Sequence, residues 1–395
     1  MRRVRLKEIG TFYSGLSGKS KSDFSEGNAL LVTYRNIFNN PVLNPAIKDT
    51  VVVGKDEKQN EVLWGDILIT GSSETPADAG MSSVVLFYPQ EKMYLNSFCF
   101  GFRLNDMNET LPSYIGHLLR STSIRAAISK TAFGVTRFNV NRMRFADIDI
   151  PLPPLNIQKE IVSILDSFTS LIDKMKQEAE MRKKQMDYYR EKLFSFGKGE
   201  CEWRTLNELF TFKNGINKEK NDFGRGTPII NYVDVYSKRG LVKEDIKGLV
   251  NSNASEQSRY KCKRGDVFFT RTSETKKEVG FPSVLLEDIE NCVFSGFVLK
   301  ATPTTDLLDT HYCKYCFFTY QFRKEVIKSA TYTTRALTNG TSLSKISIPV
   351  PSLEKQRQIA SILDTFETYI SKLEQMIELR QKQYEYYREK LLTFE

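Results

Sequence analysis

Ile150-Pro-Leu-Pro-Pro-Leu-Asn-Ile-Gln-Lys-Glu-Ile-Val-Ser-Ile-Leu-Asp166 decides how this chain is read, because it returns as Ile348-Pro-Val-Pro-Ser-Leu-Glu-Lys-Gln-Arg-Gln-Ile-Ala-Ser-Ile-Leu-Asp364. The match runs on without a gap to Phe196 and Phe394 at a constant offset of 198, and 25 of those 47 positions are identical. A fixed-period repeat of this kind means a duplicated structural unit. Upstream the match is looser. Trp64-Gly-Asp-Ile-Leu-Ile-Thr-Gly-Ser-Ser-Glu-Thr75 aligns at offset 200 with Arg264-Gly-Asp-Val-Phe-Phe-Thr-Arg-Thr-Ser-Glu-Thr275. Gly80, Ser83 and Val84 recur as Gly280, Ser283 and Val284, and Glu8, Thr11, Phe12 and Gly15 as Glu208, Thr211, Phe212 and Gly215. The chain therefore divides into a globular unit (1–149), a helix (150–196), a second globular unit (197–347) and a second helix (348–395).

Prolines cannot continue a helix but commonly precede one, so each helix is expected to start just after Pro153-Pro154 or Pro351, with Asn156 and Ser352 as N-caps. Apolar residues then recur at spacings of three and four: Leu165, Phe168, Ile172, Met175, Ala179, then Met186, Tyr189 and Leu193 after Arg182. The second copy repeats this from Leu363 to Leu391 around Arg380. That is a coiled-coil seam. A helix of roughly 39 residues, about 58 Å at 1.5 Å per residue, is too long for most globular cores. The linker Gly197-Lys198-Gly199-Glu200 is too short to return along it, so the helices are expected to pair antiparallel as a spacer between two heads.

The chain has 395 residues and a net charge of +9. The two helices are neutral together, with 15 basic and 15 acidic residues, whereas the globular parts carry 18 basic against 15 acidic and 24 against 18. Excess positive charge confined to the heads suits a polyanionic partner. Strand-like runs (Asp66–Thr70 and Val267–Thr270, Ser83–Tyr88 and Ser283–Leu286, Phe98–Leu104 and Val293–Leu299) alternate with helical stretches near Tyr114–Ser129 and Tyr312–Lys328. The fold class is α+β: two globular α+β units separated by a long antiparallel two-helix coiled coil, with a pseudo-two-fold internal repeat.

Two elements of each unit carry nucleic-acid chemistry. One is the polar loop after the Gly-Asp strand, with Ser72, Ser73 and Glu74 in the first unit and Arg271, Ser273, Glu274, Lys276 and Lys277 in the second. Hydroxyls and carboxylates can read base edges, and Arg or Lys can hold phosphate or guanine. The other is Arg137, Asn139 and Arg142 in the first unit, matched by Arg335 in the second. Solvated loops and plain surface charge are the rival explanations.

No catalytic motif is complete in this sequence. Gly18-Lys19-Ser20 lacks the first glycine of a P-loop, no Asn-Pro-Pro-Tyr element follows Asp222-Phe223-Gly224, and His311-x-Cys313-x-x-Cys316 is half a zinc site inside a helical run. Two histidines in the whole chain leave no basis for a His-rich metal site. The six cysteines show no framework spacing and read as free thiols. Met1 to Gly10 is basic but is followed by no apolar run, so no secretory signal is expected and the location expected is the cytoplasm. No stretch is apolar enough for a membrane span.

The doubled Ile-Pro-x-Pro-x-Leu-x-x-Gln-x-x-Ile-x-Ser-Ile-Leu-Asp before a long helix, with Gly-Asp-[Ile/Val]-x-x-Thr in each preceding unit, resembles the DNA specificity subunit of type I restriction-modification enzymes. The resemblance covers essentially the whole chain. It implies two target recognition domains, each reading one half of a split asymmetric DNA sequence in a system of host defence and DNA modification. It also implies helices that set the spacing and dock two methyltransferase subunits, with restriction and translocase subunits joining afterwards. The chain itself would perform no chemistry and bind no cofactor; S-adenosylmethionine, ATP and Mg belong to the partner subunits. Tyr188, Tyr189 and Arg190, duplicated as Tyr386, Tyr387 and Arg388, exceed what a two-helix seam can bury and are the expected docking residues. The competing class is an enzyme, a methyltransferase or nuclease fused to a recognition module; the missing methyltransferase motifs weigh against it. A coiled-coil scaffold without DNA binding is opposed by the charge partition.

Overall fold

Both long helices begin where the prolines end. The computed structural model, which describes residues 2–394, has helices at Leu155–Leu193 and Leu353–Leu392, 39 and 40 residues long. Ser352 sits just before the second helix and accepts from the Lys355 N–H. Asn156 does not cap the first. It lies inside the helix, and Pro154 takes the position equivalent to Ser352, its carbonyl accepting from the Gln158 N–H.

The chain forms two compact units, one of residues up to Lys176 with those from Gln375 on, the other of Gln177–Glu374. Each unit contains a globular head and a stretch of both helices. In the first, Leu165, Ile172, Tyr384 and Leu392 are buried in the same core as Phe100, Phe102, Tyr114 and Phe145 of the head. Phe168, near the start of one helix, stacks on Tyr387, near the end of the other, at 5.4 Å, so the helices pack antiparallel. The second unit repeats this: Met186, Ile359, Leu363 and Ile370 join the head core, and Tyr189 stacks on Phe366 at 5.6 Å. The seam arginines are half-buried, each donating to a glutamine three residues on, Arg182 to Gln185 and Arg380 to Gln383.

The heads are α+β and built alike. In the first, antiparallel strands lie in the order Gly10–Ser14, Cys99–Leu104, Ile67–Thr70, Ser82–Val84. In the second the order is Phe210–Asn214, Val298–Pro303, Val267–Thr270, Pro282–Leu285, with Gly240–Leu241 added parallel at the edge. The shared Gly-Asp-strand-Thr motif has structural reasons. The Asp66 carboxylate accepts from the Leu63 N–H, the Tyr13 hydroxyl and Arg103, and the Asp266 carboxylate from the Lys263 N–H and Lys300. The Thr70 and Thr270 hydroxyls each accept, at 2.9 Å, the N–H that follows Gly80 or Gly280.

Three expected elements are broken. The helical run from Tyr114 is two helices, Pro112–Leu118 and Thr122–Ser129, because Ser121 turns the chain and its hydroxyl donates to the Leu118 carbonyl. Thr319 does the same between Thr310–Cys316 and Tyr320–Ser329. The expected strand Val293–Leu299 is Val293–Phe294 and the start of Val298–Pro303, separated by a turn in which the Val298 N–H donates to the Ser295 carbonyl.

Heads and helices are joined by the motif residues themselves. Gln158 is fully buried; its amide donates to the carbonyls of Glu109 (2.8 Å) and Pro153 (2.9 Å), and its oxygen accepts from the Leu111 N–H (2.9 Å). Gln356 makes the same three bonds, to Leu307, Pro351 and Asp309, each at 2.8 Å. At the other end of each helix the duplicated Arg-Glu-Lys-Leu explains itself. Glu389 accepts from the N–H of Thr122, and Glu191 from that of Tyr320, each placing a carboxylate at the N-terminus of a head helix.

Replacing Gln158 by Ala removes a fully buried amide and leaves the Leu111 N–H and the Glu109 and Pro153 carbonyls without their partner, so Q158A is expected to lower unfolding free energy by about 2 to 4 kcal/mol. Q356A should do the same, while Gln177→Ala on an exposed helix face stays within about 0.5 kcal/mol. Urea titration followed by circular dichroism measures all three; an unchanged midpoint for Q158A would show that the lock is dispensable.

Candidate nucleic-acid interface

The polar loops are clamped from behind by an arginine. Arg125, on the helix Thr122–Ser129, donates to the carbonyls of Ala77, Ala79 and Gly80 at 2.6 to 2.8 Å. Arg323, on the helix Tyr320–Ser329, donates to those of Lys277, Val279 and Gly280. Burial lowers both guanidinium pKa values, that of Arg323 to about 10, yet both remain charged at neutral pH and their hydrogen bonds stay charge-assisted. Gly80 and Gly280 have φ of +67° and +61°, and a Cβ there would meet Ile128 or Val326 of that helix at 2.7 or 2.8 Å. Only glycine lets the loop approach its clamp in that conformation.

The start of each loop is a short strand. Ser72–Ser73 pairs with Phe138–Val140, and Thr272–Ser273 with Ala336–Leu337. These partners form one side of a hairpin whose turn carries Arg137 or Arg335. The two elements read separately in the sequence thus meet in each head. In the first head they border a cleft of about 480 Å³ lined by Ser72, Ser73, Glu74 and Arg137. In the second a cleft of about 400 Å³ is lined by Ser273, Glu274 and Arg335.

An aromatic pair completes each cleft, and the sequence reading missed it. Tyr34 and Phe38, on the helix Tyr34–Asn39, lie nearly parallel with ring centres 5.6 Å apart; Tyr232 and Tyr236, on Tyr232–Ser237, repeat this at 5.8 Å. The usable signal was the pair of capping sequences Thr33-x-x-Asn36 and Asn231-x-x-Asp234 at the same offset of 198, where the N-cap N–H donates to the third residue's side chain in both. The Tyr236 hydroxyl donates to Glu278, whose carboxyl is held below its usual range by the Thr275 and Tyr236 hydroxyls.

The other candidates take distinct places. Ser72, Ser73 and Ser273 are buried, so they form cleft wall. Arg137 is exposed, donates to the Ser72 hydroxyl at 3.0 Å and lies over Phe98. Arg271 is tied to the Gly296 carbonyl and Arg142 to the Ser14 hydroxyl over the Phe100 ring, while Asn139 is exposed on the strand opposite Ser72. Lys276 and Lys277 are exposed, Lys276 above the Tyr332 ring. Glu74 and Glu274 are exposed and, among the described residues, make no hydrogen bond or ion pair.

On the long helices, Tyr189 and Tyr387 are spent in stacking on Phe366 and Phe168, and Arg190 and Arg388 on Glu191 and Glu389. Tyr188 and Tyr386 remain, 61% and 60% exposed. Cys313 and Cys316 are buried in the head core, while the His311 ring bonds Asp364; among the described residues no cluster of His, Cys, Asp and Glu could hold a metal ion. Among the described residues no helix is long and apolar enough to cross a membrane.

Comparison with known proteins places this architecture. A family model described as type I restriction modification DNA specificity domain matches residues 1–181 and again 198–381. The type I restriction enzyme EcoR124I/EcoR124II specificity subunit of Escherichia coli is 29% identical over 304 residues, 73% of this chain and 72% of that one. The EcoKI specificity subunit of Escherichia coli K12 is 23% identical across 83% of this chain and 74% of its own length. Among solved structures, a chain from work on complex assembly and conformational transition of the type I R-M system superposes with a TM-score of 0.64 at 15% identity, covering 99% of this chain and 97% of that one. The S subunit of M. genitalium gives 0.55 at 15% identity over 100% and 96%. These likenesses carry the fold.

The clamp generates an expectation that does not depend on any ligand. Arg323→Lys keeps the charge but cannot fork to three carbonyls, and is expected to cost about 2 to 3 kcal/mol of stability with faster amide exchange confined to residues 277–281. R125K should do the same at residues 77–81. Hydrogen exchange read by mass spectrometry decides it; unchanged protection in those segments would remove the clamp.

Proposed function

The chain belongs to the family of DNA specificity subunits of type I restriction-modification systems, and on that premise we propose that its heads read the two halves of a bipartite, asymmetric duplex target while its long helices dock two methyltransferase subunits. The family is a non-catalytic one, the subunit that confers specificity. In this reading residues 1–149 and 197–347 are target recognition domains and 150–196 and 348–395 are connectors. S-adenosylmethionine, ATP and Mg reside on the methyltransferase and restriction-translocase partners, and the assembly works in the cytoplasm.

The observation that carries the reading is the convergence, in each head, of the polar loop and the arginine hairpin on one cleft. Basic excess on the heads, 3 charges on the first and 6 on the second, supports a phosphate-rich ligand. Beside otherwise matched clefts, the loop carries Lys276 and Lys277 in the second head where the first has Pro76 and Ala77, which suits two unlike half-sites. For docking, Tyr188 and Tyr386 support two equivalent partner sites, since they are pseudo-symmetric and exposed and, unlike Tyr189 and Tyr387, do not stack on the other helix.

Binding to the preferred duplex is the test. R137A and R335A should each weaken it by about 1 to 3 kcal/mol if the guanidinium meets a base, with loss confined to sequences carrying one half-site. A uniform loss with a salt slope reduced by about 1 would demote the residue to a phosphate contact, and undiminished affinity would remove it from the interface. Docking is tested by native mass spectrometry of the assembled complex: two methyltransferase subunits bind the parent chain, and Y188A or Y386A leaves one. A saturated stoichiometry of one for the parent chain contradicts the pseudo-symmetric reading.

A further inference from the structure

The two heads share little beyond scaffold, and most of what they share has a packing reason: Asp66 and Asp266 are buried acceptors, Gly80 and Gly280 meet a helix, Arg125 and Arg323 clamp a loop. Glu74 and Glu274 have none. They occupy the same place in both clefts, are exposed, and among the described residues bond to nothing. The fold does not require a carboxylate at either position.

For a surface that binds a polyanion, an unpaired carboxylate is unfavourable unless it meets a donor. Phosphates repel it, and so do the O6 and N7 of guanine and the O4 of thymine, which are acceptors. In the major groove the donors facing a protein are the exocyclic amino groups of adenine (N6) and cytosine (N4). The rest of each cleft suits such a base pair. Arg137 or Arg335 supplies donors for the acceptors beside that amino group, and the rings of Tyr34 and Phe38, or Tyr232 and Tyr236, give a flat apolar flank.

We infer that Glu74 and Glu274 are specificity-determining residues, each accepting a hydrogen bond from the amino group of an adenine or cytosine at the equivalent place of its half-site. This rests on the reading that the heads bind duplex DNA. Because each base pair carries one such amino group, on one strand, the duplicated carboxylate fixes the orientation of the pair it meets in each half-site.

Selection of bound duplexes from a random library by the full chain, alone and with its methyltransferase subunits, tests this. The parent chain should yield a two-part motif with at least one sharply selected column in each part. Glu74→Ala should relax one such column by roughly 5- to 100-fold and leave the other half intact, and Glu274→Ala should do the reverse. Because neither side chain holds the fold, both variants should melt with the parent chain, which is checked first. Columns unchanged in both variants overturn the assignment, as does raised affinity for all sequences without a change of motif, the mark of a carboxylate that only repels phosphate. A parent chain that selects no motif in either form overturns the DNA reading itself, an outcome distinct from the other two.

Discussion

Everything in this molecule depends on joining a head to a helix without leaving a polar atom unsatisfied in the joint. The helix N-terminus follows a strand through prolines, and its first turn is pressed into the head core, where an unpaired N–H or C=O would cost about 1 to 3 kcal/mol. A glutamine resolves this because one side chain offers two donors and an acceptor. Gln158 spends them on the Glu109 and Pro153 carbonyls and the Leu111 N–H. Asparagine would be a methylene short, and glutamate would trade the two donors for acceptors facing two carbonyls. The joint therefore specifies the residue, and the doubling of the joint explains why Gln356 is identical.

The same economy governs the heads. A loop that reads a ligand has to hold its shape without help from that ligand, or binding would bear the entropy of ordering it. Arg125 and Arg323 order theirs from the rear by filling the loop carbonyls, leaving Glu74 and Glu274 on the outer side without a bond among the described residues. The short strand that begins each loop adds a second constraint, since its ladder pins the loop to the arginine hairpin. Rigid support behind and unpaired groups in front is the arrangement a recognition surface needs.

Legibility followed these constraints. The duplication, both long helices, the antiparallel seam, most strands and the polar half of each cleft could be read from the sequence because periodicity and repeated turn residues record them directly. The aromatic half could not, since Tyr34 with Phe38 and Tyr232 with Tyr236 sit on six-residue helices too short for a periodic signal. Ser121 and Thr319 broke a helix that contains neither proline nor glycine at the break. On the long helices, adjacent residues point about 100° apart, so Tyr188-Tyr189 and Tyr386-Tyr387 could not be divided into exposed and stacked members until the register was known.

Around one shared helix carboxylate the two joints differ, most of all on the head side. Asp166 and Asp364 hold equivalent places on the helices, but His117 bonds the first at 2.8 Å while also meeting the Tyr384 hydroxyl at 3.1 Å. Tyr315, at the position equivalent to His117, bonds the second, joined by Lys314 and His311. Burial pulls the Asp364 carboxyl upward, but the Tyr315 and Lys314 bonds outweigh it and hold that carboxyl below its ordinary range. A histidine and a tyrosine thus satisfy one carboxylate, because it asks only for a donor in reach. The glutamine asks for two carbonyls and an N–H, and Glu191 or Glu389 for a helix N-terminus, all backbone groups that any head of this topology provides. At the glutamine and the glutamate the helix side of each joint is consequently held to one residue while the head side is held only to a backbone path, a difference in chemical demand that lets the heads diverge without disturbing these contacts.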